Sequence, residues 1–279
     1  MERKIAIMAD VHGNVTALKA VLADAAREQV SDYWFLGDLF LPGPGTHELV
    51  ELLTAVHPTV WLKGNWEESI EQVLNGEADW ADASDVYLAR LTEYLMEGLQ
   101  PGQYETVMAR PILDRVSVNG LNIGLSHNSP KRSYGHELYP TEPQTNFDAI
   151  VAANQDIAVY AHTHHQLMRV SEKGQLIINP GAVGQPYSPY QKFMADQRAN
   201  YALLTITDTG EVDVAFRKVR YDIEAEIRGA QEAALPYLKL YTQLRHTGET
   251  VTHDQTLLAA VNAENGYLSD VQTYFPPVQ

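Results

Sequence analysis

The first quarter of the chain alternates between short apolar runs and longer segments with apolar residues at helical spacing. The apolar runs at 4–9, 33–36 and 59–62 have the length of buried β-strands. Between them, apolar residues recur three and four positions apart, as on the buried face of a helix. The resulting β-α-β-α-β order predicts parallel strands with right-handed crossovers.

The pattern changes in the middle of the chain and changes back near residue 113. Residues 67–110 keep helical spacing with no strand between, which predicts a helical cap inserted above the carboxyl ends of the strands. Beyond the cap, pairs of apolar runs flank turn dipeptides at 119–120, 173–174 and 209–210, and each predicts a β-hairpin. We expect all three hairpins in a second, more antiparallel sheet.

Together these patterns predict one large domain with a helical addition. Two packed sheets with helices outside would give a four-layer α-β-β-α sandwich of two mixed sheets, an α/β (α+β) fold. We assign this domain to residues 1–220, with the cap at about 67–110 inside it. Residues 221–279 are expected to form a C-terminal helical extension packed on the same domain.

Composition and charge limit the classes of function. The chain has 20 basic and 36 acidic residues, and its net charge of −16 disfavours a nuclease or any other stable nucleic-acid binder. It has no cysteine, so a metal site would need oxygen and nitrogen ligands. No apolar run approaches the roughly 20 residues of a membrane span, and the first run is typical of a strand rather than of a signal peptide. We therefore expect a cytoplasmic protein without membrane contact.

Seven side chains that can bind metal ions follow apolar runs in one ordered series: Asp10, His12, Asp38, Asn65, His127, His162 and His164. Because the carboxyl ends of parallel strands meet at one rim of a sheet, these side chains should lie together. Two carboxylates, one amide and four imidazoles can hold two cations. Asp38 is the natural bridge, since a carboxylate has two oxygens and a negative charge. Each piece alone is an ordinary turn or surface histidine, but the ordered set indicates a dinuclear centre.

The segments around these side chains resemble the signature blocks of the calcineurin-like metallophosphoesterases. The matching blocks are DVHGN, LGD, KGNWE, LSHN and AHTH, and NPGAVGQP at 179–186 is similar to the block that follows in small bacterial phosphodiesterases of that superfamily. The resemblance covers residues 4–220. The cap and the extension look like those of streptococcal-type enzymes related to asymmetric diadenosine tetraphosphate hydrolases.

The resemblance implies roles for the seven side chains. One ion would be bound by Asp10, His12, Asp38 and His164, and the other by Asp38, Asn65, His127 and His162. A hydroxide bridging the two ions would attack phosphorus, with Asp38, Asn65 and His127 as the catalytic set. Manganese or iron is the implied metal, and the ligand chemistry also permits zinc or cobalt.

The chain departs from the family pattern at Trp66, where the family has a histidine linked to protonation of the leaving group. Tryptophan has no titratable proton, and such general-acid help is worth ~10²–10⁴ in rate. We therefore expect a phosphodiesterase or a diadenosine tetraphosphate hydrolase that gives AMP and ATP, acting on a small nucleotide-type substrate. A Ser/Thr phosphatase-like phosphomonoesterase and a non-catalytic scaffold, like the small retromer subunit, remain alternatives.

Several residues near the ligands are candidates for contact with the substrate: Lys131, Arg132, Tyr134 and His136. They could hold a distal phosphate or stack on a base, although a solvated loop is the plainer interpretation. Tyr187 and Tyr190 could line the same pocket or belong to ordinary loop packing. We expect His165 to point away from the rim, because successive side chains alternate at a strand end. A homodimer is a further possibility that the sequence leaves open.

Overall fold

The computed structural model describes residues 1–275, so positions 276–279 of the predicted extension lie outside the described residues. The strands are β1 Arg3–Met8, β2 Asp32–Phe35, β3 Val60–Trp61, β4 Leu113–Val118, β5 Leu121–Ser126, β6 Ile157–Val159, β7 Gln166–Val170, β8 Leu176–Pro180, β9 Ala199–Ile206 and β10 Val212–Val219. The helices are α1 Val15–Arg27, α2 His47–Ala55, α3 Asn65–Leu74, α4 Ala83–Gly98, α5 Gln103–Met108, α6 Gln144–Asp148, α7 Gln191–Met194, α8 Ile223–Glu232, α9 Leu238–Thr247, α10 Gln255–Asn265 and α11 Tyr267–Tyr274. Among these described residues, no helix has both the length and the apolar character needed to cross a membrane.

The first sheet contains the predicted parallel strands and two more. Its order is β10-β9-β1-β2-β3, with β1, β2 and β3 parallel and β9 antiparallel to β1. The expectation that the β9–β10 hairpin belongs to the second sheet is therefore wrong. β9 is buried along almost its whole length, so it needs a neighbour on both edges, and the free edge of β1 supplies one.

The second sheet is mixed, with the order β4-β5-β6-β8-β7. Its two hairpins, β4–β5 and β7–β8, turn where the sequence predicts. Asn119 and Gly120 both have positive φ angles, of 48° and 87°, as a two-residue turn between twisted strands requires. The central strand β6 is parallel to both of its neighbours.

The two sheets pack face to face and confirm the predicted four layers. Residues such as Ile7 and Trp34 of the first sheet share a buried core with Ile123 and Val159 of the second. The outer face of the first sheet is covered by helices from the N-terminal and the C-terminal parts of the chain. The outer face of the second carries a thinner layer, in which Phe147 of α6 packs against Tyr160.

The predicted cap consists of α3, α4 and α5, and α3 begins at Asn65, two residues before the expected start. These helices share one buried core with the C-terminal helices. Tyr87 of α4 lies 4.6 Å, centroid to centroid, from Tyr237, and the Asn262 side chain donates to the carbonyl of Ala83 at 3.1 Å. The cap and the extension thus form one helical unit on the side of the first sheet. The domain boundary between residues 220 and 221 stays a prediction.

Candidate metal centre

The seven predicted ligands lie at one rim of the two sheets, each just beyond a strand. Asp10 and His12 follow β1, Asp38 follows β2, and Asn65 opens α3 after β3. His127 follows β5, and His162 and His164 lie between β6 and β7. In each of two groups, one ligand atom from every residue lies within 4.8 Å of those of the others. The first group is Asp10, His12, Asp38 and His164, and the second is Asp38, His127 and His162.

Asn65 belongs with the second group. Its side-chain oxygen Oδ1 lies 2.8 Å from Nδ1 of His162 and 3.1 Å from Nε2 of His127. Asp38 is common to both groups, as a bridging carboxylate must be. The two groups have the same members as the two ligand sets that the family resemblance implies, and the arrangement could hold two ions. The assignment of each side chain as a ligand stays a prediction.

Five of the seven ligands adopt a left-handed backbone conformation, with φ between 51° and 63°: Asp10, His12, Asp38, His162 and His164. For residues other than glycine this costs about 1–3 kcal/mol each and persists only where the surroundings enforce it. The site is also closely packed, since a Cβ added at Gly64 would collide with the carboxylate of Asp38. Strain concentrated at these positions is typical of a functional site.

Glu67 is a site residue for which the sequence predicted no role. It is fully buried, and its carboxylate accepts main-chain N–H groups from Asp38, Leu39, Phe40 and Gly64 at 2.8–3.3 Å. Burial raises the pKa of Glu67 to about 7, with help from the charge of Asp38, while the N–H donors oppose the rise. It thus ties the loop after β2 to the start of α3. Its place at the third position of that helix, where an acidic side chain can reach back to the preceding N–H groups, was the available signal.

Main-chain carbonyls orient two of the imidazoles. Nδ1 of His12 lies 2.8 Å from the carbonyl of Leu41, and Nδ1 of His127 lies 2.6 Å from that of Leu36. A hydrogen bond from Nδ1–H leaves Nε2 with its lone pair free to bind a cation. In His127 this atom lies 3.3 Å from Oδ2 of Asp38.

The donor atoms fit metal ions because they are mostly buried and lie close to one another. Both carboxylate oxygens of Asp10 are buried and have no hydrogen-bond partner among the described residues, and burial raises the pKa of Asp10 well above its ordinary value. Nε2 of His12 lies 3.1 Å from Nε2 of His164, and burial lowers the pKa of both imidazoles. A cation would satisfy these atoms, and their chemistry suits manganese, iron, zinc or cobalt.

Asp38 carries the charge that links the two groups. Burial raises its pKa, but the charge of His127 and hydrogen bonds outweigh burial and hold the pKa below its usual range. One of these bonds comes from the N–H of Trp66, 2.9 Å from Oδ1. Burial lowers the pKa of His127, and the neighbouring Asp38 and Asp10 carboxylates raise it to about 10. Without a metal ion, a proton on His127 therefore balances Asp38.

The indole of Trp66 stands beside the first ligand group. Its ring centroid lies 5.6 Å from that of His12, and the two rings meet edge to face at 79°. The main chain of Trp66 holds Asp38, while its side chain provides an apolar wall where the family has a titratable group.

The candidate substrate residues lie on the loop 128–137, next to the second ligand group. Lys131, Arg132, Tyr134 and His136 are exposed, and none of them forms a side-chain hydrogen bond to a ligand among residues 1–275. Arg132 is paired with Glu137 at 2.9 Å. Buried Asn128 anchors the loop by donating to the carbonyl of Tyr134 at 2.7 Å. Their contact with substrate stays a prediction.

The C-terminal extension also reaches the centre, through Arg245 of α9. This arginine is buried, and its Nη1 donates to the carbonyl of Gly184. The N–H of Gly184 in turn donates to the carbonyl of Asp10 at 2.9 Å. Sequence reasoning missed Arg245, although the signal was present: it occupies an apolar position of α9, four residues after Tyr241 and one after Leu244.

Comparison with known proteins agrees with the fold. Residues 3–209 match the model of the calcineurin-like phosphoesterase superfamily domain, and the chain therefore belongs to that superfamily.

Among its relatives, a metallophosphoesterase from Sphaerobacter thermophilus is 25% identical, with a TM-score of 0.66 over 88% of this chain and 100% of that one. The hypothetical protein PH1004 from Pyrococcus horikoshii OT3 is 20% identical, with a TM-score of 0.69 over 88% of this chain and 99% of that one. The uncharacterized protein MJ0912 of Methanocaldococcus jannaschii is 24% identical over 242 residues, which are 83% of this chain and 93% of the relative. These similarities cover most of the chain.

Proposed function

We propose that this chain is a dinuclear-metal phosphohydrolase that cleaves phosphodiester or phosphoanhydride bonds in small nucleotide-type substrates, such as diadenosine tetraphosphate. The observation that carries the proposal is the pair of ligand groups that share Asp38. Two cations about 3.5–4 Å apart would activate a water molecule and neutralise charge on the phosphoryl oxygens.

The residues of the chain support this chemistry by positioning. Asp38 supplies the negative charge between the two groups, and Glu67 fixes the loops that carry Asp38 and Asn65. The carbonyls of Leu41 and Leu36 keep His12 and His127 in the orientation that presents Nε2 to a cation. Preorganisation of this kind is a large part of how hydrolases lower the barrier.

The kind of substrate follows from Trp66. An indole cannot give a proton to a departing oxygen, so an alkoxide leaving group such as that of serine would gain no general-acid help from this position. A nucleotide or an aryl group leaves with its negative charge already stabilised. Phosphodiesters and phosphoanhydrides of nucleotides are therefore better candidates than phosphoproteins.

A non-catalytic scaffold is the second candidate, and Trp66 is the observation that favours it. A scaffold does not need a proton donor, whereas an enzyme without one is limited to substrates whose leaving groups need no protonation. The complete donor set argues for the enzyme, because the strained and buried Asp10 carboxylate, which has no hydrogen-bond partner among the described residues, has no evident use in a scaffold.

Metal analysis and turnover separate these candidates. We expect about two ions per chain after loading with Mn²⁺, and hydrolysis of bis(p-nitrophenyl) phosphate. The products from diadenosine tetraphosphate then define the cleavage: AMP and ATP indicate asymmetric attack, and two ADP indicate symmetric attack. Protein that binds two ions but hydrolyses neither compound would favour the scaffold.

A variant that restores the family's histidine tests the argument from the leaving group. Trp66→His should raise kcat/KM for phosphoserine peptides, by up to about 10²-fold, and change that for bis(p-nitrophenyl) phosphate much less. Trp66→Phe is the matched control, since it keeps an apolar ring beside His12. Equal gains on both substrates would contradict the argument.

A further inference from the structure

Four aromatic side chains form a continuous row beside the metal ligands. In order along the row they are His136, Tyr139, His165 and Tyr187, and we call this set the aromatic row. Neighbouring ring centroids lie 5.3, 5.6 and 5.3 Å apart, within the range of about 4.5–7 Å for interacting rings. Because the row joins three distant segments of the chain, it is a product of the tertiary fold.

One end of the row is attached to the first ligand group. His165 directly follows the ligand His164, and the N–H of Tyr187 lies 3.4 Å from the carbonyl of His164. The rings of His165 and Tyr187 therefore lie beside the loop that carries the last two ligands. A substituent that extends from a phosphoryl group at the ligands along this loop would reach these rings.

The row presents ring surface to solvent. Tyr187 is 38% exposed, and His136 at the other end is also exposed. The rings of His165 and Tyr187 meet at 89°, and an edge-to-face pair leaves at least one face of the outer ring uncovered by its partner. Both ring nitrogens of His165 are buried without a hydrogen-bond partner among the described residues. This imidazole therefore contributes to the row through ring packing and not through hydrogen bonds.

A flat ring is the occupant that fits such a surface. Four side chains are far fewer than the roughly 20–30 residues that each side of a stable protein interface contributes. The net charge of −16 disfavours a nucleic-acid strand. A single base needs only an exposed ring to stack on, and any base can do so because each has a π-face.

We propose that the aromatic row is the subsite for the base of the nucleotide whose phosphoryl group lies at the metal-ligand groups. The inference rests on the proposed function and names the part of the substrate that the chain recognises. The ligands would then bind the phosphoryl group, and the rings would bind the base.

Two diesters with one leaving group test the subsite. Thymidine 5′-(p-nitrophenyl) phosphate and methyl p-nitrophenyl phosphate both release p-nitrophenolate, and only the first carries a base. We expect Tyr187→Leu to raise KM about tenfold for the thymidine ester alone, since stacking contributes on this scale. Tyr187→Phe, which keeps the ring, should restore most of the affinity. Tyr274→Leu is the matched control, because Tyr274 is exposed and pairs with Phe275 outside the row.

The outcomes separate the subsite from the proposed function. A rise in KM for both esters would overturn the assignment of the row to the base. It would indicate that the row contacts the aryl leaving group instead. If the active Tyr187→Leu variant has an unchanged KM for both esters, the row does not take part in substrate binding. Thermal unfolding checks the fold, and His136→Ala at the far end serves as the second variant if Tyr187→Leu is unstable.

A titration with AMP gives a readout that does not depend on turnover. If the metal-loaded protein hydrolyses neither ester, yet AMP binds and Tyr187→Leu weakens that binding about tenfold, the proposed function fails and the subsite stands. If both esters are hydrolysed and AMP binds equally well to wild type and Tyr187→Leu, the subsite fails and the proposed function stands.

Discussion

The metal-ligand rim and the loop 128–137 lie side by side but hold their side chains in different ways. On the rim, buried carboxylates and imidazoles are fixed by strained backbone, by carbonyls and by Glu67. On the loop, Asn128 anchors the main chain while Lys131 and Arg132 extend into solvent. The difference shows that strand ends define where side chains lie, whereas a loop defines mainly where its main chain lies.

The largest expected effect is at the shared carboxylate. Asp38→Asn keeps the shape of the side chain and removes the negative charge that two cations need between them. We expect the bound metal to fall from about two ions per chain to one or fewer, and kcat/KM to fall by roughly 10³-fold or more. Elemental analysis and diester hydrolysis measure both. Asp213→Asn, on an exposed strand position, is the control, and two ions retained in Asp38→Asn would contradict the dinuclear assignment.

Glu67→Gln should have the next largest effect. The amide keeps one acceptor oxygen but turns an NH₂ group toward main-chain donors that the carboxylate now satisfies, such as the N–H groups of Asp38 and Gly64. We expect a loss of about 1–3 kcal/mol in the free energy of unfolding and metal affinity weaker by roughly 10–100-fold. Thermal unfolding and Mn²⁺ titration measure these. Glu71→Gln on the same helix is the control, and equal behaviour of the two variants would show that Glu67 does not position the ligands.

These cases also show which features could be predicted from sequence. The meeting of the candidate ligands was predictable because parallel strands end at one rim, so polar residues after apolar runs such as 4–9 and 33–36 lie together there. The sheet that β9 and β10 join could not be predicted, since a hairpin signal is local and does not indicate which distant strand has a free edge. The role of Glu67 and the left-handed backbone also escaped, because both depend on contacts between segments that only the fold brings together.

Arg245→Met acts on one ligand group from outside the rim. Methionine keeps much of the side chain's length and apolar packing but loses the hydrogen bond to Gly184, whose N–H holds the carbonyl of Asp10. We expect about 3–10-fold weaker binding of the ion at the first group, with the second little changed, since a hydrogen bond of this kind contributes about 1 kcal/mol. A metal titration that resolves two steps measures this.

The matched control for Arg245→Met is Arg90→Met, at the contact between the cap and the extension. It perturbs the same helical unit without touching Gly184, and it should leave both binding steps unchanged. Equal weakening of both steps in Arg245→Met would mean that the arginine supports the whole fold rather than the first group.

The smallest effects should come from the loop. Arg132 is exposed and already paired with Glu137, and Lys131 is exposed, and charges of this kind contribute about 0–1 kcal/mol. Lys131→Ala and Arg132→Ala should therefore change KM for bis(p-nitrophenyl) phosphate and for diadenosine tetraphosphate by less than about threefold, with kcat unchanged. A tenfold rise in KM for the tetraphosphate alone would contradict this expectation. The loop would then hold a distal phosphate with side chains that become ordered only when substrate binds.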